Sequence, residues 1–251
     1  IIKEELLEIK AKFGDERRTE IAPSAAELET EDLIPEEDII ITITRQNYIK
    51  RLPLTDYRSQ RRGGRGITAW SARADDFVEH LFITNTHAHV LFFTNRGRVY
   101  RLKGYQLPAL GRQARGTSVM SLIQVEPGES IQAVLAVDDW EEEQYVVMAT
   151  KNGIVKKTAL SDFDTPRTGI IAINLDEDDE MVGAKLTDGR RNLLLATKFG
   201  QAIRFAEEDV RPMGRAARGV KGITLDGEDE VVGMEVVRDG ADLLVVTTNG
   251  F

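Results

Sequence analysis

Between Ile39 and Phe251 short apolar runs alternate with polar turns, and the runs recur. Five of them end in threonine: IIITIT at Thr44, VLFFT at Thr94, VVMAT at Thr150, LLLAT at Thr197 and LLVVT at Thr247. Successive threonines stand 50, 56, 47 and 50 residues apart. Three residues after each comes Asn47, Gly97, Gly153, Gly200 or Gly250. Asn and Gly tolerate positive φ, so each site predicts a two-residue hairpin between strands. Seven residues after each of the first four threonines the chain is basic, at Arg51, Arg101, Lys157 and Arg204. A polar loop follows, then a glycine (Gly66, Gly116, Gly169, Gly219), further strand-like sequence and an acidic loop.

Runs such as LLLA are apolar at consecutive positions, which predicts strands covered on both faces. Repeats of about 50 residues with several short strands each have the size of propeller blades. The pattern therefore predicts an all-β, propeller-like array with repeats at about 39–89, 90–145, 146–192 and 193–242 and a partial one at 243–251. A tandem Greek-key array is the alternative, because the period alone does not fix closure.

The first 38 residues follow another pattern. Ile2, Leu6, Ile9 and Phe13 keep a three/four spacing that predicts a helix over 1–13, with Gly14 as its stop. From Glu20 to Asp38 the chain turns acidic and carries Pro23 and Pro35, a composition suited to a tether.

Composition narrows the function classes. The 251 residues (28.0 kDa) could form one large domain or two ordinary ones. There is no cysteine, which excludes a disulfide framework and a thiolate metal site and fits a reducing cytoplasm. The apolar runs are far too short for a membrane span, and no signal peptide opens the chain. The sequence begins Ile1-Ile2 and stops at TTNGF, within an expected hairpin, so it reads as a piece of something longer.

The net charge of -9 conceals a strong asymmetry. Residues 1–43 carry 5 Lys and Arg against 13 Asp and Glu, and residues 121–251 carry 14 against 25. Residues 44–120 reverse the balance, 14 against 4. Local field rather than net charge steers a polyanion, so the basic segment points to a nucleic-acid partner.

That segment contains QRRGGRG: Gln60, Arg61, Arg62, Gly63, Gly64, Arg65 and Gly66. Arginine offers a planar fork of donors that matches phosphate oxygens in pairs. Glycine lets backbone N–H groups approach an anion closely. Interleaved, they suit a sugar–phosphate backbone and offer little to read bases. One such loop would be read as a solvated turn. Here, however, Arg62 and Arg65 have counterparts at Arg112 and Arg115, then at Arg215 and Arg218. The third unit departs, with a shorter loop and PRTG at 166–169. On blades, these loops and the basic residues after each hairpin would recur around one rim, able to bend duplex DNA against many phosphate contacts.

QRRGGRG resembles the sequence box of DNA gyrase A subunits, found in their C-terminal DNA-wrapping domain. IKRLPLTDYRSQRRGGRGI and LFFTNRGRVYRLKGYQLP are similar to its surroundings, and IIKEELLEIKAKFGDERRTEI to the end of the preceding coiled-coil arm. The resemblance implies a β-pinwheel, a propeller relative whose blades exchange strands, here an incomplete ring of four full blades at 39–251. It also implies an arm end at 1–19 and an acidic linker at 20–38. By the same resemblance, the box fastens a DNA wrap through which an ATP-hydrolysing type II topoisomerase introduces negative supercoils. The implied partners are double-stranded DNA, the N-terminal domain of the same full-length chain and the B subunit of an A2B2 assembly, in the cytoplasm. The fragment itself is expected to be non-catalytic and without cofactor, ATP and magnesium belonging to the whole enzyme. The cleavage tyrosine is expected outside this chain, with Tyr48, Tyr57, Tyr100, Tyr105 and Tyr145 packing within blades.

Rival readings are the related domain of topoisomerase IV, which typically lacks an intact box, and a propeller-type protein-interaction scaffold. His87 and His89 would share one face of a strand, but the only further metal-binding imidazole is His80. The acid clusters at 138–143, 176–180 and 228–230 read as solvated turns. No catalytic triad, Walker loop or paired-carboxylate site stands out.

Overall fold

The structure, a computed structural model, describes residues 2–16, 19, 30–57, 76–140, 143–238, 240–248 and 250. QRRGGRG lies outside the described residues, as does the linker from 20 to 29. Two compact units divide the chain, Ile1–Pro35 and Glu36–Phe251. In the first, helix α1 spans Ile2–Phe13, and the Gly14 N–H closes it on the Lys10 carbonyl at 2.8 Å. Its apolar stripe, Ile2, Leu6, Ile9 and Phe13, is exposed.

The second unit is built from antiparallel sheets. The first repeat supplies β1 (Asp38–Thr44), β2 (Tyr48–Pro53) and β3 (Val78–Asn85). The second supplies β4 (His89–Thr94), β5 (Arg98–Lys103), the two-residue β6 (Thr117–Ser118) and β7 (Ile131–Val137). The third has β8 (Tyr145–Thr150), β9 (Ile154–Ala159), β10 (Ile170–Ile171) and β11 (Met181–Thr187). The fourth has β12 (Asn192–Thr197), β13 (Ala202–Ala206), β14 (Val220–Lys221) and β15 (Val231–Val237).

The sheets do not respect the repeats. Their orders are β3-β1-β2-β6, β10-β5-β4-β7, β11-β8-β9-β14 and β13-β12-β15. Each short strand leaves its own repeat and completes the sheet before it: β6 pairs with β2, β10 with β5 and β14 with β9. The expected strand exchange is therefore present, and among the described residues the blades form an open series without a closed barrel.

Apolar runs pack on both faces, as expected. In β4, Val90 and Phe92 join Ile39, Ile41 and Ile43 of β1 in one core, while Leu91 and Phe93 join Val146 and Met148 of β8 in the next. In β8, Val147 and Ala149 meet Leu193 and Leu195 of β12 in a third. One inner strand thus belongs to two cores. Burying a single such side chain is worth roughly 1.5–3 kcal/mol, and adjacent residues of one run contribute that stabilisation to different cores.

The hairpins differ from the expectation by one residue. Asn47, Gly97, Gly153 and Gly200 do have positive φ, at 61°, 70°, 81° and 89°. Each donates its N–H to the carbonyl of the threonine three residues earlier, so the loops have three residues rather than two. This is the type I turn with a left-handed third residue. The recurring threonine enforces it: Oγ1 of Thr44, Thr94, Thr150 and Thr197 accepts the N–H of Tyr48, Arg98, Ile154 and Gln201, at 3.0–3.4 Å.

The acidic turns are also only partly solvated. Asp176, Glu177, Asp178 and Glu228 are exposed, but Asp179 and Asp229 are buried. Asp179 Oδ1 accepts the N–H groups of Asn152 and Glu180, both at 2.9 Å. Asp229 Oδ1 does the same for Phe199 and Glu230 at 3.0 and 2.9 Å, and Asp76 accepts from Gln46 at 3.2 Å. Asp76, Asp179 and Asp229 therefore each satisfy a hairpin donor that would otherwise be orphaned.

Candidate nucleic-acid interface

The arginine loops ride on the strand exchange. Residues 107–116 leave β5 and cross the hairpin of the first sheet before entering β6, and residues 210–219 cross the third sheet in the same way. Leu107 and Val210 plug corresponding positions and are buried. Turns of the same form follow, closed by Ala114 N–H on the Gly111 carbonyl and Ala217 N–H on the Gly214 carbonyl, both 3.0 Å. Gly116 and Gly219 then bring the chain against β2 and β9. Their φ angles are 96° and 113°, and a Cβ would lie 2.8 Å from the Ile49 carbonyl oxygen or 2.7 Å from that of Val155. Only glycine fits this approach without a shift.

Arg112, Arg115 and Arg218 are exposed, and Arg215 is half-buried. Arg115 lies over the Tyr48 ring, 3.7 Å from its centroid, and donates to Gln46 Oε1 at 3.0 Å. Arg218 pairs with Asp176. In the short loop of the third unit Arg167 is exposed, and with Arg215 it lines an open groove of about 770 Å³. Arginines of neighbouring loops thus line one space, together with Asp162.

The four basic residues that follow the hairpins do not share one environment. Arg204 is exposed. Arg101 pairs with Asp164 at 3.0 Å beneath a contact with Trp140. Arg51 donates through Nε to the Leu107 carbonyl at 2.7 Å, and the buried Lys157 donates to that of Glu207 at 2.9 Å. Arg51 and Lys157 hold the beginnings of the two long loops.

Two cations beneath those loops escaped the sequence reading. Lys50 in β2 and Lys156 in β9 are fully buried. Lys50 Nζ donates to the carbonyls of Arg112, Ala114 (3.1 Å) and Gly111 (3.4 Å). Lys156 Nζ donates to those of Arg215 and Ala172 (2.7 Å). Burial lowers the pKa of both; that of Lys156 falls to about 8, so its ammonium is still the main form at neutral pH.

Tyr100, His87 and His89 take structural positions. Tyr100 is buried, and its hydroxyl donates to Glu129 Oε2 at 2.7 Å; burial and this bond push its pKa up to about 12. His87 lies in the turn between β3 and β4, not on a strand beside His89, because Asn85 Oδ1 captures the His87 N–H at 2.8 Å. His87 packs edge-on to Tyr105, and His89 lies against Trp140. Among the described residues no cluster of three or more His, Cys, Asp or Glu is arranged to hold a metal ion, and no helix is long and apolar enough to cross a membrane.

Blades that hand a strand backwards, with an arginine loop riding on the exchange, define a propeller-type repeat domain. Residues 38–85, 88–138, 144–188 and 191–238 match the family described as DNA gyrase C-terminal domain, beta-propeller. The chain belongs to that family. It is 53% identical to the DNA gyrase A protein of Clostridium acetobutylicum over 88% of this chain and 27% of that protein. With the corresponding gyrase A protein of Staphylococcus epidermidis it shares 52% identity across its whole length and 29% of the relative. The chain thus spans less than a third of the length of these relatives. Among solved structures, the C-terminal domain of DNA topoisomerase IV superposes with a TM-score of 0.72 at 30% identity, over 82% of this chain and 63% of that one. A DNA gyrase A C-terminal domain gives 0.61 at 25% identity, over 81% and 66%.

Proposed function

We propose that this chain is the DNA-wrapping part of a gyrase A subunit, binding duplex DNA along the rim formed by its arginine loops. The observation that supports this most is the recurrence of arginines on exchange loops, with Arg167 and Arg215 facing one groove. Phosphates spaced along a duplex are matched by guanidinium groups spaced along successive blades, and the contacts offset the bending of DNA. Arg112, Arg115, Arg167, Arg204, Arg215 and Arg218 form the gripping set, together with Gln60, Arg61, Arg62, Gly63, Gly64, Arg65 and Gly66. Arg51 and Lys157 serve it by holding the loops.

In this reading the chain does no bond chemistry. The N-terminal domain of the full-length protein cuts and rejoins DNA, the B subunit of an A2B2 enzyme uses ATP with magnesium, and the wrap directs strand passage toward negative supercoils in the cytoplasm. The gyrase assignment is preferred to topoisomerase IV because the relatives near 50% identity carry the gyrase name, while the topoisomerase IV domain stands at 30%.

Closing a nicked circle with ligase in the presence of the chain tests the wrap. A shift in linking number that grows with protein and is lost in Arg61→Ala/Arg62→Ala/Arg65→Ala supports it. An unchanged topoisomer distribution at saturating protein contradicts it.

A further inference from the structure

Two fully buried ammonium groups in a strand-rich domain are costly unless they are paired or well hydrogen-bonded, so their partners are informative. Lys50 and Lys156 occupy the same place, six residues after Thr44 and Thr150. Both donate to the carbonyl of an arginine in the overlying loop, Arg112 in one case and Arg215 in the other. The neighbouring cation holds the start of the same loop: Arg51 on Leu107 and Lys157 on Glu207. Backbone contacts add to the clamp, with Arg51 N–H on the Pro108 carbonyl at 3.0 Å and Met213 N–H on that of Lys157 at 2.8 Å.

The second sheet supplies the contrast. There the position six after Thr94 is Tyr100, and the loop above it is the short one with a single arginine. Gly169 of that loop approaches the Tyr100 ring, 3.0 Å from where its Cβ would be, and the Tyr100 hydroxyl turns away to Glu129. A lysine therefore lies under each long arginine loop of the described residues, and a tyrosine under the short one. A lone carbonyl turn would be free to invert. Tied from beneath by an ammonium, its carbonyls point inward and the arginine side chains outward.

We propose that Lys50 and Lys156 are positioning residues for DNA binding: each ammonium fixes the carbonyl turn of one arginine loop and so aims Arg112 and Arg115, or Arg215 and Arg218, at the phosphate backbone. This rests on the DNA-binding reading above for its purpose, though not for its geometry. It also assigns a further role to the two cations, because each adds a charge just behind the guanidinium groups it orients, where low dielectric strengthens its field.

Lys50→Met and Lys156→Met test it, with every arginine left in place. In Lys50→Met, limited trypsin digestion should cut after Arg112 and Arg115 about tenfold faster, with cutting after Arg215 and Arg218 unchanged; Lys156→Met should give the reverse. Duplex affinity should fall about tenfold in each, with a shallower salt dependence, because disordered arginines meet fewer phosphates. Arg218→Ala should then cost less in the Lys156→Met background than in wild type, and the same in Lys50→Met as in wild type. Cutting that rises equally at both loops marks general destabilisation and overturns the proposal, as does unchanged cutting. If either methionine variant fails to fold by circular dichroism, Lys→Gln at that position is read by the same criteria. Absence of salt-dependent duplex binding by the wild-type chain would instead defeat the DNA-binding reading, while the cleavage pattern would still decide the positioning role.

Discussion

Lys156 and Arg215 are joined by a hydrogen bond from ammonium to carbonyl across 59 residues of sequence. Lys50 and Arg112 repeat it across 62 residues, two sheets earlier. The bond ties a strand of one blade to the arginine loop of the next, at the point where the chain hands a strand backwards. Blade assembly and presentation of the basic loops are therefore one event, and three further outcomes follow from the same geometry.

Asp179→Ala should destabilise the domain by about 1–3 kcal/mol, since it removes the buried carboxylate that accepts the N–H groups of Asn152 and Glu180. Asp178→Ala, one residue away and exposed, should stay within about 0.5 kcal/mol of wild type. Urea unfolding of the two variants checks this; equal effects would contradict the buried role of Asp179.

Much of this was legible in the sequence. The threonine period placed the inner strands, and consecutive apolar residues in VLFFT and VVMAT revealed burial on both faces. The strand exchange was not legible from periodicity: β6, β10 and β14 are two residues long, and only the family resemblance implied that they join another repeat's sheet. Acidic turns read as solvated because composition does not distinguish Asp178 from Asp179, although only Asp179 faces hairpin N–H groups. Lys50 and Lys156 were missed because a lysine in a strand reads as a solvated charge. The available signal was their shared register, with tyrosine taking the place where the loop is short.

Gly219→Ala should cost on the order of 2 kcal/mol or more, because the left-handed backbone and the Val155 carbonyl both oppose a Cβ. Gly111→Ala, where a Cβ meets open space, should cost well under about 1 kcal/mol. A parallel thermal melt of both variants decides it; a small loss at Gly219 would mean that β14 seats without the close approach.

Lys156 gives a pH dependence of defined sign. Its pKa falls from 10.5 to about 8 on folding. Between those values the unfolded chain holds a proton that the folded chain has released, so stability rises with pH across the window. The stability of wild type minus that of Lys156→Met should be flat below about pH 7 and climb by on the order of 3 kcal/mol toward pH 10.5. Denaturant unfolding at several pH values reads it. A flat difference would mean that the carbonyl partners cancel the effect of burial.

The central claim is a phosphate grip by arginines on the exchange loops. Its most direct test is duplex affinity at several salt concentrations, for wild type and for Arg112→Ala/Arg115→Ala/Arg215→Ala/Arg218→Ala. Each phosphate left without its arginine should reduce the slope of log K against log salt by about 0.9. The account predicts a steep wild-type slope that becomes shallower by about three to four in the variant, with the fold intact. Identical slopes and affinities for the two proteins would contradict it.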